Sequence, residues 1–218
     1  MPLIISGAFF MQNNMTVPTM NPRLKALEEL RWHIGNSPMH NLVNLSPKPG
    51  VEIHVKLEWQ QFGGSVKARP AFNIIHDAVV SGALQGRRLL DATSGNTGIA
   101  YAIFSAAAGI PVTLFLPENA SKERKHILRA LGVDLRLTSP LEGTDGAQSE
   151  ARKLVMKSPE KFCYVDQYGN EANWKAHYYG TGLEVWNETA GRITHFIAGL
   201  GTTGTFMGTG RRLKELNP

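Results

Sequence analysis

Three short loops hold most of the residues that could do chemistry. Gly199-Leu200-Gly201-Thr202-Thr203-Gly204-Thr205 stands between an apolar run and a helical pattern. Its glycines let backbone N–H groups approach an anion, and a helix N-terminus adds favourable potential. With three threonine hydroxyls the loop reads as a phosphate cradle. The letters also satisfy G-x-G-x-x-G, a weak dinucleotide signal whose acidic partner, about twenty positions on, would fall beyond Pro218. The second loop is Thr93-Ser94-Gly95-Asn96-Thr97-Gly98, again between a strand and a helix. It could hold a carboxylate or a phenolate oxygen, or be no more than an N-cap with a glycine turn. In the third, Gly63-Gly64-Ser65-Val66-Lys67, a lysine opens an apolar helix. Beside an anion cradle such a lysine suits a Schiff-base amine or general base; a surface lysine is the plain alternative.

These loops need elements to position them. Apolar residues at spacings of three and four predict helices over 21–31, 67–81, 97–108, 121–131, 146–157, 172–185 and 205–216. Short apolar or alternating runs predict strands over 51–57, 88–92, 112–116, 133–137, 162–165 and 193–198. Strands alternating with helices specify an α/β fold with a mainly parallel sheet. Ligands of such sheets sit at the carboxyl ends of strands, where these loops fall.

Other chemistries find little support. The single cysteine, Cys163, lies in an apolar run, so there is no disulfide framework or cysteine-based zinc site, and a reducing compartment is expected. The seven histidines form no metal motif, and no G-x-S-x-G or P-loop is present. The chain carries 23 Lys+Arg against 18 Asp+Glu, a net +5, but the basic residues are scattered. The densest group, Lys122 to His126 with Arg129, is the solvated face of a helix, so nucleic acid is not an expected partner. The uncharged stretch 92–117 is broken at Gly109-Ile110-Pro111 and reads as a buried helix and strand, not a membrane span. Residues 1–22 lack charge and read as a disordered lead, or a start codon placed before Met11, Met15 or Met20.

The three loops in this order, with Ile34-Gly35-Asn36-Ser37-Pro38-Met39 ahead of them, resemble the cysteine synthase and cystathionine β-synthase family of pyridoxal-phosphate enzymes. Gly201-Thr202-Thr203-Gly204-Thr205 with Gln167-Tyr168-Gly169-Asn170 is similar to the branch holding the B-type cysteine synthases and O-phosphoserine users. The resemblance implies a fold-type II architecture of two three-layer αβα domains. The larger would comprise 23–54 and 162–218, and the smaller, mobile one 55–161. It implies that Lys67 carries pyridoxal 5′-phosphate and acts on the substrate α-proton. Asn96 would bond the cofactor's 3′-oxygen, and Gly201, Thr202, Thr203, Gly204 and Thr205 would hold its phosphate. Thr93, Ser94, Thr97 and Gln167 would bind the substrate carboxylate. The implied reaction is β-replacement: an activated serine, acetylated or phosphorylated, loses its leaving group and a sulfur donor adds to give cysteine. A cytoplasmic homodimer acting on small molecules, without nucleic acid, membrane or metal, goes with it.

The sequence departs from the family pattern at Ala68, where an acidic residue is usual, and at Gln61-Phe62, in place of Asn-Pro. The family continues for about a third of its length beyond the phosphate-loop helix, so a C-terminally truncated second domain is expected. The alternatives are a non-catalytic truncated homologue, a cystathionine β-synthase or dehydratase, and a dinucleotide module that would leave the Lys67 and Asn96 loops unexplained.

Overall fold

The computed structural model describes residues 20–46, 48–93 and 95–218. Four strands, β3 (Arg88–Ala92), β4 (Val112–Pro117), β5 (Asp134–Thr138) and β6 (Phe162–Tyr164), form a parallel sheet in the order β5-β4-β3-β6. Alternation in β3 and β4 makes both faces of the sheet apolar. Leu89, Leu114 and Leu116 face one layer, and Leu90, Ala92 and Phe115 the other. The first layer holds α1 (Pro22–Leu30), α2 (Ala68–Val80), α3 (Asn96–Ala107) and α4 (Lys122–Ala130), which place Leu27, Ile74, Ile75, Phe104 and Leu128 in one cluster with the sheet. The second is α5 (Gly143–Lys157), which sets Ala147 and Ala151 against the opposite face. Burying both faces is what a parallel sheet requires.

The chain winds outward from β3 through β4 to β5, then crosses by α5 to add β6 on the far side of β3. The winding therefore reverses between β3 and β6, the point at which open parallel sheets form a crevice outside the carboxyl ends of their strands.

A separate antiparallel ladder joins β1 (Met39–Asn41) to β2 (His54–Lys56), so the strand expected over 51–57 shortens to three residues. The helix expected over 172–185 is longer and broken: α6 (Glu171–Ala176), a π turn over His177–Thr181, and α7 (Gly182–Glu188). Helix α8 (Gly204–Leu216) crosses all three. A Cβ at Gly208 would lie inside contact distance of the Trp174 carbonyl oxygen, so only glycine permits this approach.

One sequence expectation fails. Residues 193–198 form no strand. A strand exists only against a partner, and among the described residues none runs alongside. Ile193 and Phe196 of this segment instead meet α8 in an open groove lined also by Trp186, Phe206 and Met207. Most of the expected lead, residues 1–19 with Met11 and Met15, lies outside the described residues; α1 begins at Pro22, capped by Asn21, whose Oδ1 accepts from the Arg23 N–H at 3.0 Å. Among the described residues no helix is long and apolar enough to cross a membrane.

Candidate active site

The crevice between β3 and β6 is bordered by the loop that follows each strand. Thr93 leaves β3 buried, and its Oγ1 accepts from the N–H groups of Gly95 and Gly98, both at 3.2 Å. This folds the loop over the start of α3. Asn96 opens that helix exposed, and Thr97 beside it is buried. Ser94 lies outside the described residues.

Across the crevice, Gln167 is buried in the loop after β6. Its backbone N–H donates to Asp91 Oδ2 at 3.1 Å, and its Nε2 to the Ala92 carbonyl at 2.7 Å. Asp91 is wholly buried, and that burial pushes its carboxyl up to about 7 even though the N–H groups of Ala92 and Gln167 favour the ionised form. The sequence reading did not single out Asp91. The signal was an acid in the otherwise apolar run Leu89-Leu90-Asp91-Ala92.

The glycine-threonine loop approaches from the third side. The Nδ2 of Asn173, buried in α6, donates to the Gln167 carbonyl at 2.6 Å and to Thr202 Oγ1 at 2.9 Å. Thr205 Oγ1 shares a hydrogen bond of 3.2 Å with His177 Nε2, whose Nδ1 meets Thr181 Oγ1 at 2.9 Å. His177 lies in the π turn and is fully buried. Burial, with the charges of Arg69 and Lys67, drives it down to about 3, so the ring is neutral and one nitrogen always accepts. Two sequence features could have drawn attention to Asn173 and His177: polar residues at core positions of a helical pattern.

The loop itself is strained. Thr203 has φ 64°, the left-handed region, at the N-cap of α8. Thr203→Gly is expected to raise stability by roughly 0.5–1 kcal/mol, relief of that strain outweighing glycine's larger unfolded-state entropy. A chemical denaturation midpoint checks it. Gly204 is buried against Asn173, and an added Cβ would overlap its Oδ1. Gly204→Ala is therefore expected to cost about 1–3 kcal/mol and to push the loop off its register; thermal melting and phosphate-ester binding, measured together, should both fall.

Lys67 stands at the start of α2, where its backbone N–H donates to Ser65 Oγ at 3.3 Å. Its ammonium is half-buried, has no hydrogen bond or ion pair among the described residues, and is lowered by burial. Helix α2 is tied to α6 by Asn73 Nδ2, which donates to the Ala172 carbonyl at 2.8 Å. The charge of Lys67 is felt at His177, and His177 touches the glycine-threonine loop. The fold thus links the end of β3 to the glycine-threonine loop through Gln167 and Asn173, and ties the helix that Lys67 opens to α6.

Residues 30–218 match the family model described as pyridoxal-phosphate dependent enzyme. The chain belongs to this family. Among its relatives is a cysteine synthase of Aquifex aeolicus, 55% identical over 201 residues, covering 90% of this chain and 62% of the relative. A cysteine synthase B of Pseudomonas aeruginosa is 44% identical over 186 residues, covering 85% and 62%. The crystal structure of a cysteine synthase from Entamoeba histolytica superposes with a TM-score of 0.79 at 34% identity, covering 98% of this chain and 61% of that one. The chain therefore has the fold-type II architecture of these proteins and spans about 62% of the length of the curated relatives.

The residues present fit the family's cofactor. Lys67 offers an amine that has no hydrogen bond or ion pair among the described residues and that burial biases toward the neutral form. The 13-residue helix α8 points its N-terminus at the loop, where Cβ atoms at Gly199 and Gly201 would meet nothing within 4 Å. That open, donor-rich cradle suits a phosphate ester.

Proposed function

We propose that this chain holds pyridoxal 5′-phosphate and belongs to a cysteine synthase that replaces the β-substituent of an activated serine with a sulfur nucleophile. One observation supports the reading: hydrogen bonds through Gln167 and Asn173 link the end of β3, where the loop suited to a carboxylate begins, to Thr202 of the glycine-threonine loop, in a chain that also carries an unpaired half-buried lysine at the start of α2. Bound pyridoxal phosphate supplies an electron sink for carbanion chemistry.

The residues divide the remaining work. Gly201 to Thr205 hold the phosphate by backbone N–H groups and hydroxyls at the positive end of α8. Lys67 would anchor the cofactor and its amine would take the substrate α-proton; the burial that lowers it favours the neutral base. Asn96 holds the cofactor's ring oxygen. Thr93, Ser94, Thr97 and Gln167 orient the substrate carboxylate at the start of α3. Relatives named cysteine synthase and cysteine synthase B support this substrate class, with O-acetylserine or O-phosphoserine as the activated serine.

The same reading divides the chain into a phosphate-holding part, 23–54 with 162–218, and a smaller moving part, 55–161, with β6 at the seam. A cytoplasmic homodimer accompanies it, and the single cysteine suits that compartment. A non-catalytic homologue is the second reading. It is favoured by the exposed apolar residues Ile197, Leu200 and Phe206 beside the cradle.

Adding pyridoxal phosphate to the purified chain should raise a visible absorbance band, which O-acetylserine or O-phosphoserine then shifts and sulfide restores, with cysteine as product. A folded sample that binds the cofactor but turns over neither serine supports the second reading. One that binds no cofactor overturns the first.

A further inference from the structure

We propose that Asn173 is a positioning residue that couples the substrate-carboxylate side of the site to the phosphate loop, so that displacing Gln167 loosens the cradle. The inference rests on the cofactor reading above.

The geometry is a continuous chain of hydrogen bonds. Gln167 is fixed to the end of β3 twice, by its backbone N–H on Asp91 and its side-chain amide on Ala92. Its carbonyl accepts one proton of the Asn173 amide at 2.6 Å, and Thr202 Oγ1 accepts the other at 2.9 Å. A primary amide has two donor hydrogens, and both are committed, one to each side. Asn173 is 5% exposed, so water does not replace a lost partner at little cost. Its Oδ1 is buried without a hydrogen-bond partner and lies against Gly204, where no side chain fits. The amide therefore touches the phosphate loop at both Thr202 and Gly204 while holding the backbone of the carboxylate side.

Such an arrangement has two consequences. Moving the Gln167 carbonyl frees one amide hydrogen, and the amide rotates to satisfy it, withdrawing the other from Thr202. The coupling is also reciprocal, since it is a free energy shared by two sites. Among the described residues Gln167 makes no hydrogen bond to the phosphate loop itself. Among the described residues the hydrogen-bonded route from Gln167 to that loop runs through this amide.

The test is a double-mutant cycle on the dissociation constant of pyridoxal phosphate, read by absorbance titration of the full chain. Asn173→Ala is expected to weaken binding roughly tenfold, and Gln167→Ala alone severalfold, the range for lost buried hydrogen bonds. In the Asn173→Ala background, Gln167→Ala should then add less than about twofold, because the link is already cut. A purely structural contribution would instead give losses that multiply. If Asn173→Ala does not fold by circular dichroism, Thr202→Val cuts the same link from the loop side and is paired with Gln167→Ala in the same way. Cofactor binding by wild type with multiplying losses, or with Gln167→Ala inert, overturns this inference alone. Absence of binding by folded wild type overturns the cofactor reading as well.

Discussion

On the proposed function, Lys67→Met should abolish the visible cofactor band and reduce cysteine formation by several orders of magnitude, and burial of the amine means that it should also raise the melting temperature of the cofactor-free chain. Methionine keeps an apolar stem of similar length, so packing at the start of α2 is conserved and only the amine is removed. The chemical loss follows from the proposed role of Lys67 as the cofactor's amine, half-buried and without a hydrogen bond or ion pair among the described residues. The gain in stability follows from the same fact. Burial lowers the ammonium from its ordinary 10.5, so the folded state pays a penalty for every pH at which Lys67 is charged. The unfolded chain binds the proton more tightly between the folded value and 10.5. Wild-type stability therefore rises with pH across that window. The advantage of Lys67→Met should be full at neutral pH and shrink as the pH climbs toward 10.5. Melting curves at neutral and alkaline pH decide it. A variant less stable than wild type at neutral pH would contradict the burial argument, and one that retained the band would contradict the assignment of the lysine. A residue that destabilises its own fold in order to be reactive is a familiar compromise at active sites.

Much of this arrangement was legible in the residues. Period-three-and-four runs placed α2 and α8, and the apolar runs 88–92 and 112–116 placed the two central strands, because burial on both faces imposes those patterns directly. The glycine-threonine run 199–205 ahead of α8 raised the expectation of an anion site from composition alone. The rest depended on pairing that no local pattern encodes. Residues 193–198 have strand-like apolar content yet form no ladder, since a strand needs a neighbour as well as a propensity. Asp91, Asn173 and His177 were overlooked because a single polar residue on a buried face looks like noise until its partners, 76, 29 and 28 positions away, are known. The position of β6 beside β3 likewise follows from the long α5 crossover. It is that placement which creates the crevice.

Arg69 shows how such long-range partners fix the chemistry, and its removal should be the largest stability loss here. Arg69→Met is expected to cost about 3–5 kcal/mol, the range for breaking a buried ion pair and stranding its partners. The guanidinium is 3% exposed and forks onto two carboxylates. Its Nε and Nη2 donate to Glu58, both at 2.8 Å, and its Nη1 and Nη2 to Glu184 at 2.6 and 2.7 Å. Ser37 Oγ accepts a further bond at 3.1 Å, and Lys56 meets Glu184 at 2.9 Å. One side chain two residues beyond Lys67 thus ties the start of α2 to α7, to the turn at Glu58 that follows β2 and to the segment before β1. Burial by itself would raise the Glu184 carboxyl; Arg69 overrides it and holds the group down at about 2. A depressed folded value means that this stabilisation is complete above about 4.5 and is lost as pH falls toward about 2. In Arg69→Met that acid-sensitive contribution is absent, so the gap between variant and wild type should be widest at neutral pH and close between 4.5 and 2. Adding Glu184→Gln to Arg69→Met should recover part of the loss, because the stranded charge is the chief cost. Denaturant melts of the three proteins at pH 7 and pH 3 test this, and a gap independent of pH would show that packing, not charge, sets the effect. Because α2 begins at Ala68, loosening this cluster also frees the lysine that opens it. The visible band should then broaden in Arg69→Met even where the fold survives.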